Sequence, residues 1–288
     1  MRVSLPAGAA STACTRTSTC SPSAHVSAAR PQRRLRTCDP FKGGVQSLQA
    51  SVQSAHRLQK SVGVQCSAPG LVVKEASTGV EFPEVVSLWG SSEKFRSVGA
   101  GVRAKKFAFV PVKVYAVTVY VEAEKAAREL GVRSRGGFFA DDADEDYALA
   151  LVDGAFAKAL VVHLVRKVDG KTFYEALEEA LAPRLRLAGE GAALQRFGDF
   201  FQGRTLEKGT EVVMLWRTEG PVELALRPEG GPDLLQLTPD LRIEAVSLGR
   251  ALFEVYLGSN SVVPEARSIW AQGARALLAT EQVRRSTT

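Results

Sequence analysis

The chain has 288 residues, 45% of them hydrophobic, enough for one large or two small domains with a substantial core. A formal charge of +6 suggests a nucleic-acid or anionic-membrane partner only until the charges are located. Residues 1–74 hold ten of the 37 Lys and Arg but one acid, Asp39, and the rest carries 27 basic against 30 acidic side chains, which excludes the basic footprint of a nucleic-acid binder from the folded part.

Residues 1–70 are rich in Ser, Ala, Thr and Arg and lack the apolar stretch of a secretory signal, so they are expected to be an organelle transit peptide and disordered linker. A merely flexible tail is the plain alternative. The Ser and Thr density, together with a family resemblance carried by the later residues, favours plastid over mitochondrion, with cleavage somewhere between about 40 and 70. Cys14, Cys20, Cys38 and Cys66 all lie in or near this segment, which leaves the globular part without a thiol for catalysis, disulfides or metal binding. No stretch reaches the ~18 apolar residues of a spanning helix, so no stable membrane insertion is expected.

From Leu71 the pattern is β. Residues 71–76 and 80–88 read as two strands joined through Ser77-Thr78-Gly79, and 89–92 form a loop. Residues 99–122 open with a turn of small residues and continue as a run dense in Val, Phe and Tyr, the composition of a half-buried pleated surface. Alternation puts Phe107, Phe109, Lys113, Tyr115, Val117, Val119 and Val121 on one face, with Arg103 and Lys105 extending it backwards. Pro111 cannot donate to a ladder, so the run is two strands or one with a bulge, and a bulge would flip that parity. Gly99-x-Gly101-x-x-Ala104 resembles a dinucleotide fingerprint, but β pattern follows it where that motif needs a helix.

A helix is predicted over 123–130, ended by Gly131. The acidic run 141–147 lacks the ligand spacing of a calcium loop and suits a solvated loop and helix start. Residues 156–166 read as a strand closed by Asp169-Gly170, with His163 as a packed histidine that has no evident orienting partner. Phe173, Leu177, Leu181 and Leu185 mark a helix over 172–187 in which Pro183 is a candidate kink, and Leu194, Phe197, Phe200 and Phe201 mark a second helix before Gly203. Residues 210–217 and 222–226 form a hairpin. A helix over 243–257 buries Ala251, Leu252, Val255 and Tyr256, and a last helix from Pro264 to about 280 turns Ile269 and Trp270 inward. Strands, then helices, then a hairpin, then helices argue for an α+β layer.

Several stretches together resemble the chalcone isomerase fold: Gly99-x-Gly101-x-Arg103, Lys113-x-Tyr115 through Glu122, Gly79 to Pro83, Ala155 to Lys158, Phe197-x-x-x-Phe201 and Ala251 to Gly258. The similarity covers 75–280 and is greatest to the plastid branch of non-catalytic fatty-acid-binding proteins. It implies an open-faced β-sandwich over 71–288, a large antiparallel sheet with helices on one face. It also implies a chloroplast stroma location and, as partner, a medium- to long-chain free fatty acid, with no cofactor and no metal.

Arg103 is the residue that carries the chemistry. A guanidinium on an apolar face needs an anion, and its fork matches a carboxylate in two places. Tyr115 can donate to the same oxygens, while neighbouring Phe and Val side chains take an apolar tail. Glu122 or Glu254, or bulk water, are the competing partners. The ligand site implied comprises Arg103, Tyr115, Phe107, Phe173, Tyr174, Ala180, Val255 and Tyr256. A true isomerase of this family resembles the chain at Arg103 but departs elsewhere. The family's threonine aligns with Tyr115, its catalytic-network tyrosine with Phe173, its asparagine with Ala180 and its late threonine with Val255, so no catalytic residue carries over. A non-catalytic auxiliary that binds an enzyme is the third reading.

Overall fold

A computed structural model describes residues 71–107, 110–218 and 220–286, the side chains at 106, 107 and 110 excepted. The transit-peptide and linker reading of residues 1–70 lies outside the described residues, as does Phe109.

Three short strands come first, β1 (Val72–Lys74), β2 (Glu81–Pro83) and β3 (Val85–Val86), then two long ones, β4 (Phe95–Phe107) and β5 (Val110–Glu122). Helices α1 (Ala123–Arg135) and α2 (Asp144–Asp153) lead to β6 (Lys158–Leu164) and β7 (Val168–Asp169). Next come α3 (Gly170–Leu187), α4 (Gly191–Phe201), β8 (Thr205–Leu206), β9 (Glu211–Trp216), β10 (Val222–Arg227) and β11 (Leu241–Ile243). Helix α5 (Val246–Leu257), a 3-10 turn (Pro264–Ala266) and α6 (Arg267–Ser286) follow.

Seven strands form one antiparallel sheet in the order β11-β10-β9-β6-β5-β4-β3. Period-two alternation divides its residues. Val117, Val119, Val121, Leu160, Val162 and Leu164 face the helices, whereas Ala116, Tyr120, Ala159 and Val161 face Phe82 of the β1–β2 hairpin with Leu88, Leu234 and Leu237. Each fully buried branched side chain contributes about 1.5–3 kcal/mol, so the helix-covered face supplies most of the stabilisation. The α+β sheet with helices layered on one face is the architecture expected from the order of elements.

Several details differ from the sequence reading. The run at 99–122 is the inner part of a hairpin, and β4 begins at Phe95, so Gly99 and Gly101 lie inside a strand and not in a turn. Tertiary packing explains these glycines. A Cβ on Gly101 would sit 2.2 Å from the Ala266 Cβ, and Gly99 takes a φ of +124° at an irregularity in the ladder while its carbonyl accepts from Trp270 Nε1 at 3.1 Å. Gly131 is buried inside α1, which runs on to Arg135, and a Cβ there would meet only the flexible side chains of Glu281 and Arg135, at 3.4 and 3.5 Å. Helix α5 begins at Val246 and not at Ile243, which ends a short strand paired to β10. Ile269 is 43% exposed while Trp270 is fully buried, since adjacent residues on a helix face different ways. The α3 helix starts at Gly170, where Asp169 caps it by accepting from the Thr172 N–H at 3.2 Å.

One buried cation belongs to this framework. The Lys158 ammonium donates to the carbonyls of Leu151, Val152 and Gly154 at 2.8, 2.8 and 2.9 Å, satisfying acceptors at the end of α2, and lies against the rings of Phe156 and Trp216. Burial pulls its pKa down to about 7, with Glu129 and Asp153 opposing that shift.

Candidate functional site

The site is built on the β4–β5 hairpin. Arg103 and Tyr115 are direct cross-strand partners, which places them on one face of the sheet. Just beyond this pair the register slips: Ala104 opposes Lys113, and Val114 is left as the surplus residue of a bulge. The bulge reverses the parity of what precedes it. Lys113 therefore turns to the opposite face, where its ammonium reaches the Ser77 carbonyl, while Val114 and Tyr115 both line the Arg103 side. Lys105, opposite Val112, shares the face of Arg103.

Here the sheet, the β6–β7 connection and the start of α3 enclose a cavity of about 300 Å³. Its apolar wall consists of Val114, Tyr115, Val168, Phe173 and Ala176, and its charged rim of Arg103, Lys105, Arg166, Lys167 and Asp169. Phe173 lies 6.0 Å from the Tyr115 ring and 5.1 Å from Phe201, which fixes the floor through tilted aromatic contacts.

Arg103 is half-buried. Its Nη1 donates to the Tyr115 hydroxyl at 3.3 Å, and no carboxylate lies within 4.0 Å of its guanidinium among the described residues. The two acids considered from the sequence as its partners are engaged elsewhere, and Glu179 acts on it only as a longer-range charge. Glu122 holds Lys125 at 2.8 Å, and Glu254 holds Arg184 at 2.8 Å and Arg250 at 3.0 Å. Behind Tyr115 stands Tyr256, fully buried on α5, its hydroxyl 3.2 Å from that of Tyr115. Burial pushes the Tyr256 hydroxyl well above its ordinary pKa, Tyr115 adding to the shift and Arg103 opposing it, so Tyr256 remains a proton donor. Either hydroxyl of the tyrosine pair can be the donor; in the arrangement in which Tyr256 donates, Arg103 also donates to the Tyr115 oxygen and the Tyr115 proton points into the cavity.

The residues named from the sequence divide accordingly. Arg103, Tyr115 and Phe173 line the cavity, and Tyr256 touches it through Tyr115. Phe107 ends β4, with its side chain outside the described residues. Tyr174, one residue round α3, lines instead a groove of about 440 Å³ between α3 and α4, packs against Phe197 and donates to the Leu194 carbonyl at 3.4 Å. Ala180 sits one turn beyond Ala176 and does not line the cavity, and Val255 is buried in the core on α5. Those three positions were assigned by alignment alone, and a helix presents only one stripe to a given recess. Arg166 and Lys167 went unnoticed, although two adjacent cations ending an apolar strand were a visible signal.

His163 lies on the other face of the sheet as the packed, hydrogen-bonded histidine expected, and the partner that the sequence did not reveal is Glu211: its Oε1 is 3.3 Å from His163 Nδ1, and Glu211 also holds Arg227 at 2.6 Å. Among the described residues no cluster of His, Cys, Asp and Glu could hold a metal ion, and no helix is long and apolar enough to cross a membrane.

A sequence model of the family described as chalcone-flavanone isomerase matches residues 78–277. Curated chalcone–flavanone isomerases are similar to the chain, that of Ipomoea batatas at 26% identity over 70% of this chain and 84% of its own length, and that of Canna generalis at 28% over 72% and 91%. Among solved structures, the Arabidopsis thaliana fatty-acid binding protein superposes with a TM-score of 0.59 at 18% identity, covering 73% of this chain and all of that one.

Proposed function

The chain belongs to the chalcone-flavanone isomerase family, and from that premise we propose that it binds free fatty acids without chemical turnover. The observation that carries this reading is the half-buried Arg103, bonded to Tyr115 and with no carboxylate within 4.0 Å among the described residues, at the edge of an apolar recess. A fatty-acid carboxylate would take the guanidinium fork and the Tyr115 proton, and the tail would lie on Val114, Val168, Phe173 and Ala176. The tail sets affinity at about 0.8 kcal/mol per buried methylene, and the anchor selects the head group. The fold shared with a fatty-acid binding protein supports the reading. We place the activity in the plastid stroma, on the composition of residues 1–70.

The test is mass spectrometry of lipid extracted from the purified chain, followed by uptake of laurate and palmitate. A protein that is empty and takes up neither overturns the proposal. Ring closure of a chalcone is the second reading, favoured by the names of the curated relatives. Loss of chalcone absorbance at an enzymatic rate would establish it in place of the first.

A further inference from the structure

The rim of the cavity holds more positive charge than one carboxylate needs. Among the described residues lining it, Arg103, Arg166 and Lys167 stand with one acid, Asp169, and that carboxylate is turned to the α3 N-terminus as its cap. Arg166 uses its Nε to hold the Lys113 carbonyl at 2.7 Å and, like Arg103, has no carboxylate within 4.0 Å among the described residues. Lys167 meets Glu207 at 2.7 Å, but the two side chains are 66% and 62% exposed, a contact that water and salt weaken and a ligand can displace. Such a rim is costly to the folded protein through self-repulsion, which an anion of higher charge relieves.

Resting on the fatty-acid reading above, we propose that the preferred ligand is a single-chain lipid whose head group is a phosphate monoester. The tail occupies the recess in the same way. One phosphate oxygen replaces the carboxylate at Arg103 and Tyr115, and the others meet Arg166 and Lys167 at the mouth. A phosphate monoester carries about −1.5 to −2 at pH 7 and offers three acceptor oxygens, against one charge and two oxygens in a carboxylate.

The test uses the full chain and two ligands with the same tail, dodecanoate and dodecyl phosphate, titrated calorimetrically below their micelle concentrations. Each additional charge-assisted hydrogen bond is worth about tenfold in affinity, so dodecyl phosphate is expected to bind at least about tenfold more tightly at low salt. Raising the ionic strength should shrink that preference, because the rim is exposed. The double variant Arg166→Gln, Lys167→Gln should abolish the preference, dodecyl phosphate losing at least about tenfold more affinity than dodecanoate does in the same variant. Equal affinity of the two ligands, or a preference that survives the double substitution, overturns the inference while leaving fatty-acid binding in place. Binding of neither ligand removes the fatty-acid reading together with it. Inorganic phosphate competing as well as dodecyl phosphate would identify a free-anion site and also overturn the lipid assignment.

Discussion

Replacing Arg103 by Met keeps the length and apolar bulk of the side chain and removes the charge and all five donors. A guanidinium gripping a carboxylate through two charge-assisted bonds contributes about 1.5–3 kcal/mol for each. Arg103 is only half-buried, which puts both bonds at the low end. Loss of about 3 kcal/mol, or roughly a hundredfold in Kd, is therefore expected for laurate. Dodecanol, with the same tail and no carboxylate, should bind Arg103→Met about as well as it binds the natural chain. The unliganded variant should be as stable as the parent or slightly more so, because it loses a cation that no acid within 4.0 Å compensates among the described residues. Displacement of a fluorescent fatty acid measures both affinities, and urea unfolding measures stability. Laurate binding within about threefold of the parent, or an equal loss for dodecanol, would refute the reasoning.

Tyr256→Phe removes the donor behind Tyr115, so the Tyr115 proton is no longer directed into the cavity; laurate affinity should fall by about 1 kcal/mol, and an unchanged affinity would show that Tyr256 plays no positioning part. Gly101→Ala drives a methyl group to 2.2 Å from Ala266, and urea unfolding should show a loss of about 1–3 kcal/mol from overpacking; a neutral effect would contradict the close approach of the 3-10 turn to β4. Lys158 releases its proton at about 7 in the folded chain but near 10.4 when unfolded, so between these values the unfolded state binds more protons and stability rises with pH. The slope approaches about 1.4 kcal/mol per pH unit inside that window and vanishes below it, where both states are protonated. Comparison with Lys158→Met across pH 6 to 10 isolates this slope, and parallel stability curves for the two proteins would show that the buried ammonium holds its proton.

The layered α+β arrangement could be read from the sequence because period-two and period-3.6 patterns alternate cleanly along the chain. The β4–β5 hairpin could not be read in the same way: Phe107, Ala108, Phe109 and Val110 contain none of the residues that usually signal a turn. Arg103 and Tyr115 were placed on one face by counting along a single strand. They share that face because they are opposed across two strands, and the count agreed because both residues stand an even number of positions apart. Lys113 shows where such counting fails, since the bulge at Val114 turns it away. The glycines of β4 suggested a turn because their cause lies far off, in the segment containing Ala266 and Trp270. Tyr256 was recognised as buried, but its contact with Tyr115 spans 141 residues and has no local signature.

The grip of the last helix on β4 bears on how the protein is made. The bond from Trp270 to the Gly99 carbonyl joins positions 171 residues apart, and the strand that it secures carries Arg103 only four residues further on. Such a distant closure is slow to form and comes after the local hairpins and helices. A chain still emerging from the ribosome thus has Arg103 translated but not seated. The recess beside Arg103 is therefore completed only after the last helix has been made.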